Sequence, residues 1–184
     1  MLQEWAQEEI GISRFAALGN KSDVDETELI EYFASTSETK VVAVYTEGVK
    51  DGRKLMSVLE EVDKPVVFLK GGRTEAGRRA VFSHTGTLAG ADEVFTAAIT
   101  QKGALRAWDV EELYDASKAL AKLPLPRGNR VLIVTSSGGA GILAADECER
   151  QGLSLPLPSK KTVEKLSQRL PGYCILKNPL DLTG

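Results

Sequence analysis

Short apolar runs alternate with amphipathic stretches along most of the chain. The apolar runs are four to six residues long and predict strands at 15–18, 41–45 and 65–69, near Ala104, and at 131–135. Apolar positions at helical spacing predict helices at 2–9, 22–35, 53–62, 91–101, 110–122, 141–151 and 159–170, the second with an Asp cap. Strands separated by helices are typical of βαβ units. The pattern therefore predicts an α/β fold with a parallel sheet covered by helices on both faces.

A Pro- and Gly-containing segment interrupts this alternation at residues 123–129, LPLPRGN. Such composition is typical of a linker, and the strand–helix alternation restarts after it. The sequence therefore predicts two units, a domain over 1–124 and a second, truncated α/β domain over 125–184.

The composition is that of an ordinary folded protein and narrows the classes of function. A net charge of −3 over 184 residues gives no electrostatic case for a nucleic-acid or membrane partner. The acidic start and the lack of an apolar run of about 20 residues predict neither a signal peptide nor a membrane span. Cys148 and Cys174 lack a metal-ligand or redox spacing, which favours reduced thiols in a cytoplasmic protein. The single histidine, His84, has to carry any histidine chemistry.

Four polar or Gly-rich segments follow predicted strands. In parallel α/β sheets, ligands bind at the carboxyl ends of the strands, where loops meet helix N-termini. The segments are GNKSDVD at 19–25, EGVKDG at 47–52, the long stretch 70–91 and SSGGAG at 136–141. We therefore expect the chemistry of the protein to lie in these four segments.

The third segment is predicted to be a loop of roughly 20 residues, much longer than the two to six residues usual after a strand. It carries Lys70, Arg73, Arg78 and Arg79, followed by the run Ser83-His84-Thr85-Gly86-Thr87. Basic side chains, hydroxyls and exposed N–H groups at glycines are suited to an anionic phosphoryl group. A structural role for the lone histidine and an ordinary solvated basic loop stay open as alternatives.

Two further features are ambiguous when taken alone. SSGGAG could bring helix N–H groups to an anion from a helix that begins near Gly141, but a tight strand-to-helix turn explains the segment equally well. It is neither a Walker A motif nor a dinucleotide fingerprint. Glu47, just beyond a strand end, could orient an imidazole by accepting its N–H. Without other information, Glu47 is better explained as a solvated acid.

Taken together, GNKSDVD (19–25), YTEGVKDGR (45–53), KGGRTEAGRRAVFSHTGTLAG (70–90), TSSGGAGILAADE (135–147) and NPLDLTG (178–184) resemble the α subunit, or α-like region, of NDP-forming acyl-CoA synthetases. These are the ADP-forming acetate–CoA ligases, related to succinyl-CoA synthetase. The resemblance implies a flavodoxin-like CoA-ligase domain over 1–124, N-terminally truncated, and the start of a second α/β ligase domain over 125–184.

The resemblance also implies a reaction and its residues. Acyl-CoA, NDP and phosphate are interconverted with carboxylic acid, CoA and NTP through a phosphohistidine at His84, oriented by Glu47. A mobile loop carries His84 between sites. The implied phosphate-binding residues are Ser83, Thr85, Gly86, Gly138, Gly139, Ala140 and Gly141, and no metal ligand is implied. The implied small molecules are a small carboxylic acid, CoA and ADP or ATP, with Mg²⁺ accompanying the nucleotide.

The same resemblance implies missing parts. A CoA-binding Rossmann domain, an ATP-grasp β subunit or region, and the first strand and Ser/Gly loop of the flavodoxin-like domain have no counterpart in the sequence. The resemblance thus predicts an incomplete chain that is inactive alone and has a gap in its sheet. One alternative is the non-catalytic, acyl-CoA-sensing region of a protein lysine acetyltransferase, and another is a purely structural α/β module. His84 favours the ligase, because sensor regions commonly lack this histidine.

Overall fold

The computed structural model describes residues 11–85 and 90–183, with the side chains of His84 and Thr85 excluded. The predicted helix over 2–9 lies outside these residues. The chain divides into two compact units, Met1–Pro124 and Leu125–Gly184. Among the described residues no helix has both the length and the apolar character needed to cross a bilayer. Cys148 and Cys174 are both free thiols.

The first unit is a parallel sheet flanked by helices, as the α/β pattern predicts. Its elements are α1 (Glu26–Ser35), β1 (Val42–Thr46), α2 (Gly52–Glu61), β2 (Val66–Lys70), α3 (Glu75–Thr85), α4 (Asp92–Gln101), β3 (Leu105–Ala107) and α5 (Val110–Lys122). The strands lie in the order β1-β2-β3, and both neighbouring pairs are parallel.

Both faces of β2 are covered, and all five of its residues are buried. Successive side chains of a strand point to opposite faces of the sheet. On one face Phe68 packs with buried residues of α1, α2 and α4, among them Ile30 and Ile99. On the other face Val67 packs with Leu113 of α5. The continuous apolar run of β2 is therefore the sequence signature of a central strand covered on both faces.

Side-chain caps fix the starts of three of these helices. Asp25 begins α1 with a capping box, in which its carboxylate accepts from the N–H groups of Thr27 and Glu28. Asp51 caps α2 by accepting from the N–H groups of Arg53 and Lys54, and Asp109 caps α5 by accepting from that of Glu112. The predicted Asp cap on the first of these helices is thus confirmed.

The prediction of a loop throughout residues 70–90 is wrong, because Glu75–Thr85 form α3. The Thr74 hydroxyl accepts from the Gly77 N–H at 3.1 Å, and Glu75 forms an i,i+4 ion pair with Arg79 at 2.9 Å. Gly77, a weak helix former, interrupts the helical spacing, so the sequence pattern did not indicate this helix. It is placed there because a Cβ would come within 3.2 Å of the Gly72 Cα.

The predicted strand at 15–18 is also wrong, since these residues are irregular and Phe15 is 63% exposed. The N–H of Val42 and the C=O of Thr46 bond toward β2. The intervening Ala43 and Tyr45 therefore direct their N–H and C=O groups away from β2. A groove of about 740 Å³ lies on that side of β1, lined in part by residues 11–21 and by α5. Without main-chain bonds to β1, the run at 15–18 does not become a strand.

The second unit contains β4 (Val134–Thr135), α6 (Gly138–Arg150), α7 (Lys160–Ser167), β5 (Ile175–Leu176) and β6 (Leu180–Asp181). Its sheet has the order β4-β6-β5 and is mixed, since β5 and β6 are antiparallel. A wholly parallel sheet is therefore wrong for this unit, and β5 and β6 were not predicted.

Two predicted bounds in this unit are corrected. The strand over 131–135 is shortened to β4, because the N–H of Val131 bonds to the Ser154 carbonyl and the N–H of Ile133 to the Asn178 side chain. The helix predicted from Gly141 begins at Gly138, because Ser137 caps it.

Candidate functional site

The first three candidate segments meet at the carboxyl edge of the sheet in the first unit. Thr46, the last residue of β1, pairs in register with Lys70, the last residue of β2. Lys21 of the first segment donates to the Gly48 carbonyl of the second at 2.7 Å. The N–H of Gly71 in the third segment donates to the Thr46 carbonyl at 2.9 Å. Strand order and register thus bring these segments together, as expected for a parallel sheet.

A buried network fixes the turn after β1. Lys21 forms an ion pair with Glu26 at 3.0 Å, donates to Thr46 Oγ1 at 3.0 Å, and has the positive φ of 55°. Glu26 is 4% exposed and Thr46 is 2% exposed. The Thr46 hydroxyl donates to the Gly48 carbonyl at 2.8 Å. Because these contacts join Lys21, Glu26, Thr46 and the Gly48 carbonyl, they hold the turn that carries Glu47 in place.

Glu47 lies against the start of the third segment. The Tyr45 hydroxyl approaches Glu47 Oε1 at 3.4 Å, and burial, reinforced by the Glu47 charge, raises the pKa of Tyr45. A Cβ on Gly71 would stand 2.9 Å from the Tyr45 hydroxyl and 3.4 Å from Glu47 Cγ. A side chain at this position would have to displace the Tyr45 hydroxyl and would contact Glu47. Glu47 is therefore placed beside the segment that leads to His84.

Lys70 is not a loop residue open to an anion, which corrects the role predicted for it. Its side chain is 2% exposed and lies 3.7 Å from Asp92 Oδ1. The ammonium donates to the carbonyls of Gly71 and Gly90, both at 3.3 Å. Burial lowers the pKa of Lys70, and the charge of Arg106 adds to that effect while Asp92 opposes it.

Arg106 shares Asp92 with Lys70. Its Nη2 donates to Asp92 Oδ1 at 3.1 Å, and its side chain is 4% exposed. The guanidinium lies 5.5 Å from the ring centroid of Phe95 and 5.1 Å from that of Trp108. Burial lowers the pKa of Arg106, and Nε and Nη1 have no hydrogen-bond partner among the described residues. The aromatic faces offer the cation–π contacts that partly offset this desolvation.

Asp92 and Arg106 were not predicted as site residues from the sequence. The available signals were weak: an acid in the first turn of a helix and an arginine inside a short apolar run. Both are ordinary features of solvated surfaces, and only the strand order brings these two residues to Lys70.

The other predicted basic residues contact their local surroundings. Arg73 lies 5.7 Å from the ring centroid of Trp108. Arg78 Nη1 donates to the Arg73 carbonyl at 3.3 Å, and Arg79 forms the ion pair with Glu75. Arg73 and Arg79 are exposed, Arg79 at 69% of its side chain, whereas Arg78 is half-buried.

The histidine itself falls at the edge of what the structure describes. The backbone places His84 and Thr85 at the end of α3, and their side chains lie outside the described residues, as does Gly86 altogether. The Ser83 hydroxyl is exposed and donates to the Arg79 carbonyl at 2.9 Å. Phosphate binding by Ser83, Thr85 and Gly86 therefore stays a prediction.

In the second unit, α6 begins at Gly138 and not at Gly141, which changes the N–H groups that could bind a ligand. Ser137 Oγ accepts from the Ala140 N–H at 3.5 Å, and the Ser137 carbonyl accepts from the Gly141 N–H at 3.0 Å. An α-helix leaves its first N–H groups without intrahelical partners. Of the four predicted residues, Gly138 and Gly139 are the ones whose N–H groups remain for a ligand.

Gly141 has a packing role. A Cβ there would lie 3.0 Å from Thr135 Cγ2 and 3.4 Å from Pro179 Cβ.

Asp181 was not predicted as a site residue, although it belongs to the NPLDLTG segment on which the resemblance partly rests. Its Oδ2 stands 3.1 Å from where a Gly138 Cβ would be, and hydrogen bonds from Thr183 lower the pKa of Asp181. A carboxylate beside a helix N-terminus stabilises that helix.

No three or more His, Cys, Asp and Glu side chains converge as a metal site within the described part of the chain.

Comparison with known proteins agrees with the resemblance. The chain is 43% identical over 179 residues to the alpha subunit of ADP-forming acetate–CoA ligase I of Pyrococcus furiosus, covering 96% of this chain and 38% of that protein. It is 45% identical over 178 residues to the alpha subunit of isoenzyme II from the same organism, covering 96% of this chain and 39% of that protein. The chain thus spans about two fifths of the length of these curated relatives.

A solved structure is similar throughout. The structure of the dinucleotide forming acetyl-coenzyme A synthetase 1 of Ca. Korarchaeum cryptofilum, in complex with phosphate and ADP, superposes with a TM-score of 0.91 at 36% identity. The match covers 99% of this chain and 40% of that one. A family model described as the succinyl-CoA ligase like flavodoxin domain matches residues 1–120. The chain belongs to the family of that succinyl-CoA ligase like flavodoxin domain.

Proposed function

We propose that the chain is the phosphoryl-carrying part of an acid–thiol ligase that interconverts acyl-CoA, NDP and phosphate with carboxylic acid, CoA and NTP. The observation that carries the proposal is the 43% and 45% identity, over 96% of the chain, to two alpha subunits of ADP-forming acetate–CoA ligases. The substrate class is a small carboxylic acid. Domain 1–124 carries the phosphohistidine, and 125–184 begins a second ligase domain.

His84 acts as the nucleophile in this proposal. Phosphate first attacks the thioester carbonyl of acyl-CoA, and the C–S bond breaks to release CoA and leave an acyl phosphate. An imidazole nitrogen then attacks its phosphorus, an N–P bond forms, and the P–O bond to the acyl group breaks to release the carboxylate. The phosphoryl group then passes from nitrogen to NDP, which leaves the imidazole free. Covalent catalysis of this kind divides one difficult transfer into two easier steps.

Glu47 orients the imidazole by accepting its second N–H. The position of Glu47 against Gly71, where the chain turns toward α3, supports this role. A carboxylate in that place fixes the tautomer, so that the other ring nitrogen carries the lone pair. It also stabilises the positive charge that develops when the ring is phosphorylated.

A phosphate site, the cosubstrates and the partner domains complete the proposal. Phosphate is held by the free N–H groups of Gly138 and Gly139, since helix N-termini bind anions. CoA and ADP or ATP are substrates, and Mg²⁺ would accompany the nucleotide and neutralise its phosphates. The proposed partners are a CoA-binding Rossmann domain and an ATP-grasp subunit or region, and the proposed location is the cytoplasm.

The first test is phosphorylation of His84. The assembled enzyme, meaning this chain with its CoA-binding and ATP-grasp parts, is incubated with γ-³²P-ATP. We expect an acid-labile, alkali-stable label that His84→Asn removes. Acid-stable label in the wild type, or label retained by His84→Asn, would identify a different acceptor and overturn the proposal.

The second test concerns Glu47. Glu47→Gln keeps the shape of the side chain but removes its charge, so we expect phosphorylation to slow by roughly 10- to 100-fold. Far-UV circular dichroism should stay unchanged. Glu61→Gln, an exposed glutamate at the end of α2, is the matched control and should label at the wild-type rate. An unchanged rate in Glu47→Gln would remove this residue from the mechanism.

The relatives reported above are ligases, which gives the alternative of an acetyltransferase sensor region no support.

A further inference from the structure

Two buried cations face one carboxylate at the end of the central strand. The side chains of Lys70 and Arg106 are 2% and 4% exposed, and both contact the same atom, Oδ1 of Asp92. Arg106 is the nearer partner, at 3.1 Å against 3.7 Å for Lys70. Arg106 alone therefore neutralises Asp92, and the charge of Lys70 is in excess.

A buried cation in excess is costly. Desolvation penalises the charged form, which is why burial lowers the pKa of Lys70. The neighbouring charges of Arg106 and Arg78 lower that pKa further, with only Asp92 opposing them. Met or Leu at this position would avoid the cost while keeping the packing against Phe95, whose ring centroid is 5.9 Å from the ammonium. The charge therefore needs another explanation than the stability of the core.

The remaining contacts of Lys70 supply that explanation. Its ammonium donates to the carbonyls of Gly71 and Gly90, both at 3.3 Å. Gly71 leaves β2 and leads to α3, and Gly90 leads into α4. One side chain on the fully buried strand β2 thus holds two points that are 19 positions apart in sequence, on either side of His84.

We propose that Lys70 is a positioning residue for His84, an inference that rests on the function proposed above. By fixing the Gly71 and Gly90 carbonyls to the end of β2, the ammonium fixes where α3 starts relative to Glu47. Asp92, which Arg106 holds by its hydrogen bond, attracts the ammonium and keeps it in place. Lys70 touches neither substrate nor the reacting atoms in this proposal, and it acts through the backbone.

The first measurement does not depend on phosphorylation. Lys70→Met removes the charge and keeps an unbranched apolar stem, and native-state hydrogen exchange is followed in the assembled enzyme. We expect the amides of α3 to exchange roughly 10-fold faster or more, while those of α1 and α2 stay unchanged. Lys102→Met, which breaks the ion pair of Lys102 with Glu60, is the matched control and should leave α3 unchanged. Unchanged exchange in α3 of Lys70→Met would overturn the inference.

The second measurement separates positioning from stability. In Lys70→Met, phosphorylation of His84 at saturating ATP should slow roughly 10- to 100-fold, with the KM for ATP and the melting temperature unchanged. Lys70→Gln keeps N–H donors for the two carbonyls and should be intermediate. If neither Lys70→Met nor Lys70→Gln folds, the charge of Lys70 is not in excess. If both variants phosphorylate His84 at the wild-type rate, Lys70 does not position it. Either result would overturn the inference. Label retained in His84→Asn would instead overturn the proposed function, and with it the role of Lys70 toward His84, while the hydrogen-exchange result would still test whether Lys70 holds α3.

Discussion

At the scale of single residues, the three charges at the end of β2 are not equivalent. Among the residues that the structure describes, Asp92 is the carboxylate that contacts both Lys70 and Arg106, whose side chains are almost fully buried. Removing one cation leaves a neutral pair, whereas removing Asp92 leaves two cations in a site of low dielectric constant. Breaking a buried ion pair is costly mainly because it leaves the partner uncompensated. Asp92 is therefore the residue on which the stability of this cluster depends.

We expect Asp92→Asn to lower the free energy of unfolding by about 3–5 kcal/mol. The measurement is urea unfolding followed by the fluorescence of Trp108, which contacts Arg106, in a Trp5→Phe background. Glu60→Gln removes a carboxylate of 67% exposure that also pairs with a lysine, and should change the free energy by less than about 1 kcal/mol. Equal effects of the two substitutions would show that the buried Asp92 contributes no more to stability than the exposed Glu60.

At the scale of elements, the clearest local signal was the capping box of α1. Asp25 accepts two N–H groups and Glu28 completes the capping box, so the start of α1 is encoded within four residues. The apolar run of β2 was equally clear, because a strand buried on both faces needs apolar residues throughout. In β1 the burial alternates, and Val42 and Val44 supply its buried apolar side chains.

The cap of α1 gives a direct test. Asp25→Ala should lower the free energy of unfolding by about 1 kcal/mol, because two N–H groups of the first turn lose their acceptor. Asp23→Ala, an exposed acid two residues earlier, is the control and should change it by less than about 0.5 kcal/mol. Chemical unfolding followed by circular dichroism measures both, and a larger loss in Asp23→Ala would refute the cap assignment.

Elements that depend on contacts not visible in the local residue spacing were not predicted. α3 was missed because Gly77 breaks the helical period, and the reason for Gly77 is the backbone of Gly72 beside it. β5 and β6 are two residues each and pair in register with one another, Ile175 with Asp181, which no periodicity reveals. For the site, sequence placed Glu47 correctly at a strand end. The sharing of Asp92 by Lys70 and Arg106 required the order of strands in space.

At the scale of the whole molecule, the two units differ in how much apolar surface they bury. Most of the large apolar side chains that are buried belong to the first unit, whereas in described residues 125–183 Leu180 alone among them is buried. Exposed instead are Leu125, Leu132, Val134, Ile142, Leu143, Leu157, Tyr173 and Ile175, each more than half exposed. Monomeric proteins rarely expose large contiguous apolar patches, and those that do tend to associate. The second unit is therefore where we expect the chain to self-associate in water.

The adjacent pair Ile142 and Leu143 on α6 tests this expectation, at exposures of 64% and 72%. Replacing both by Gln removes apolar surface while favouring the helix, since Gln is the better helix former than Ile. We expect the double variant to stay monomeric at higher concentration than the wild-type chain in sedimentation velocity, with unchanged helical content. Val94→Gln is the matched control, because Val94 is 69% exposed on α4 of the first unit and should leave association unaltered. If the control suppressed association as strongly as the double variant, the interaction would depend on total exposed apolar area and not on the second unit.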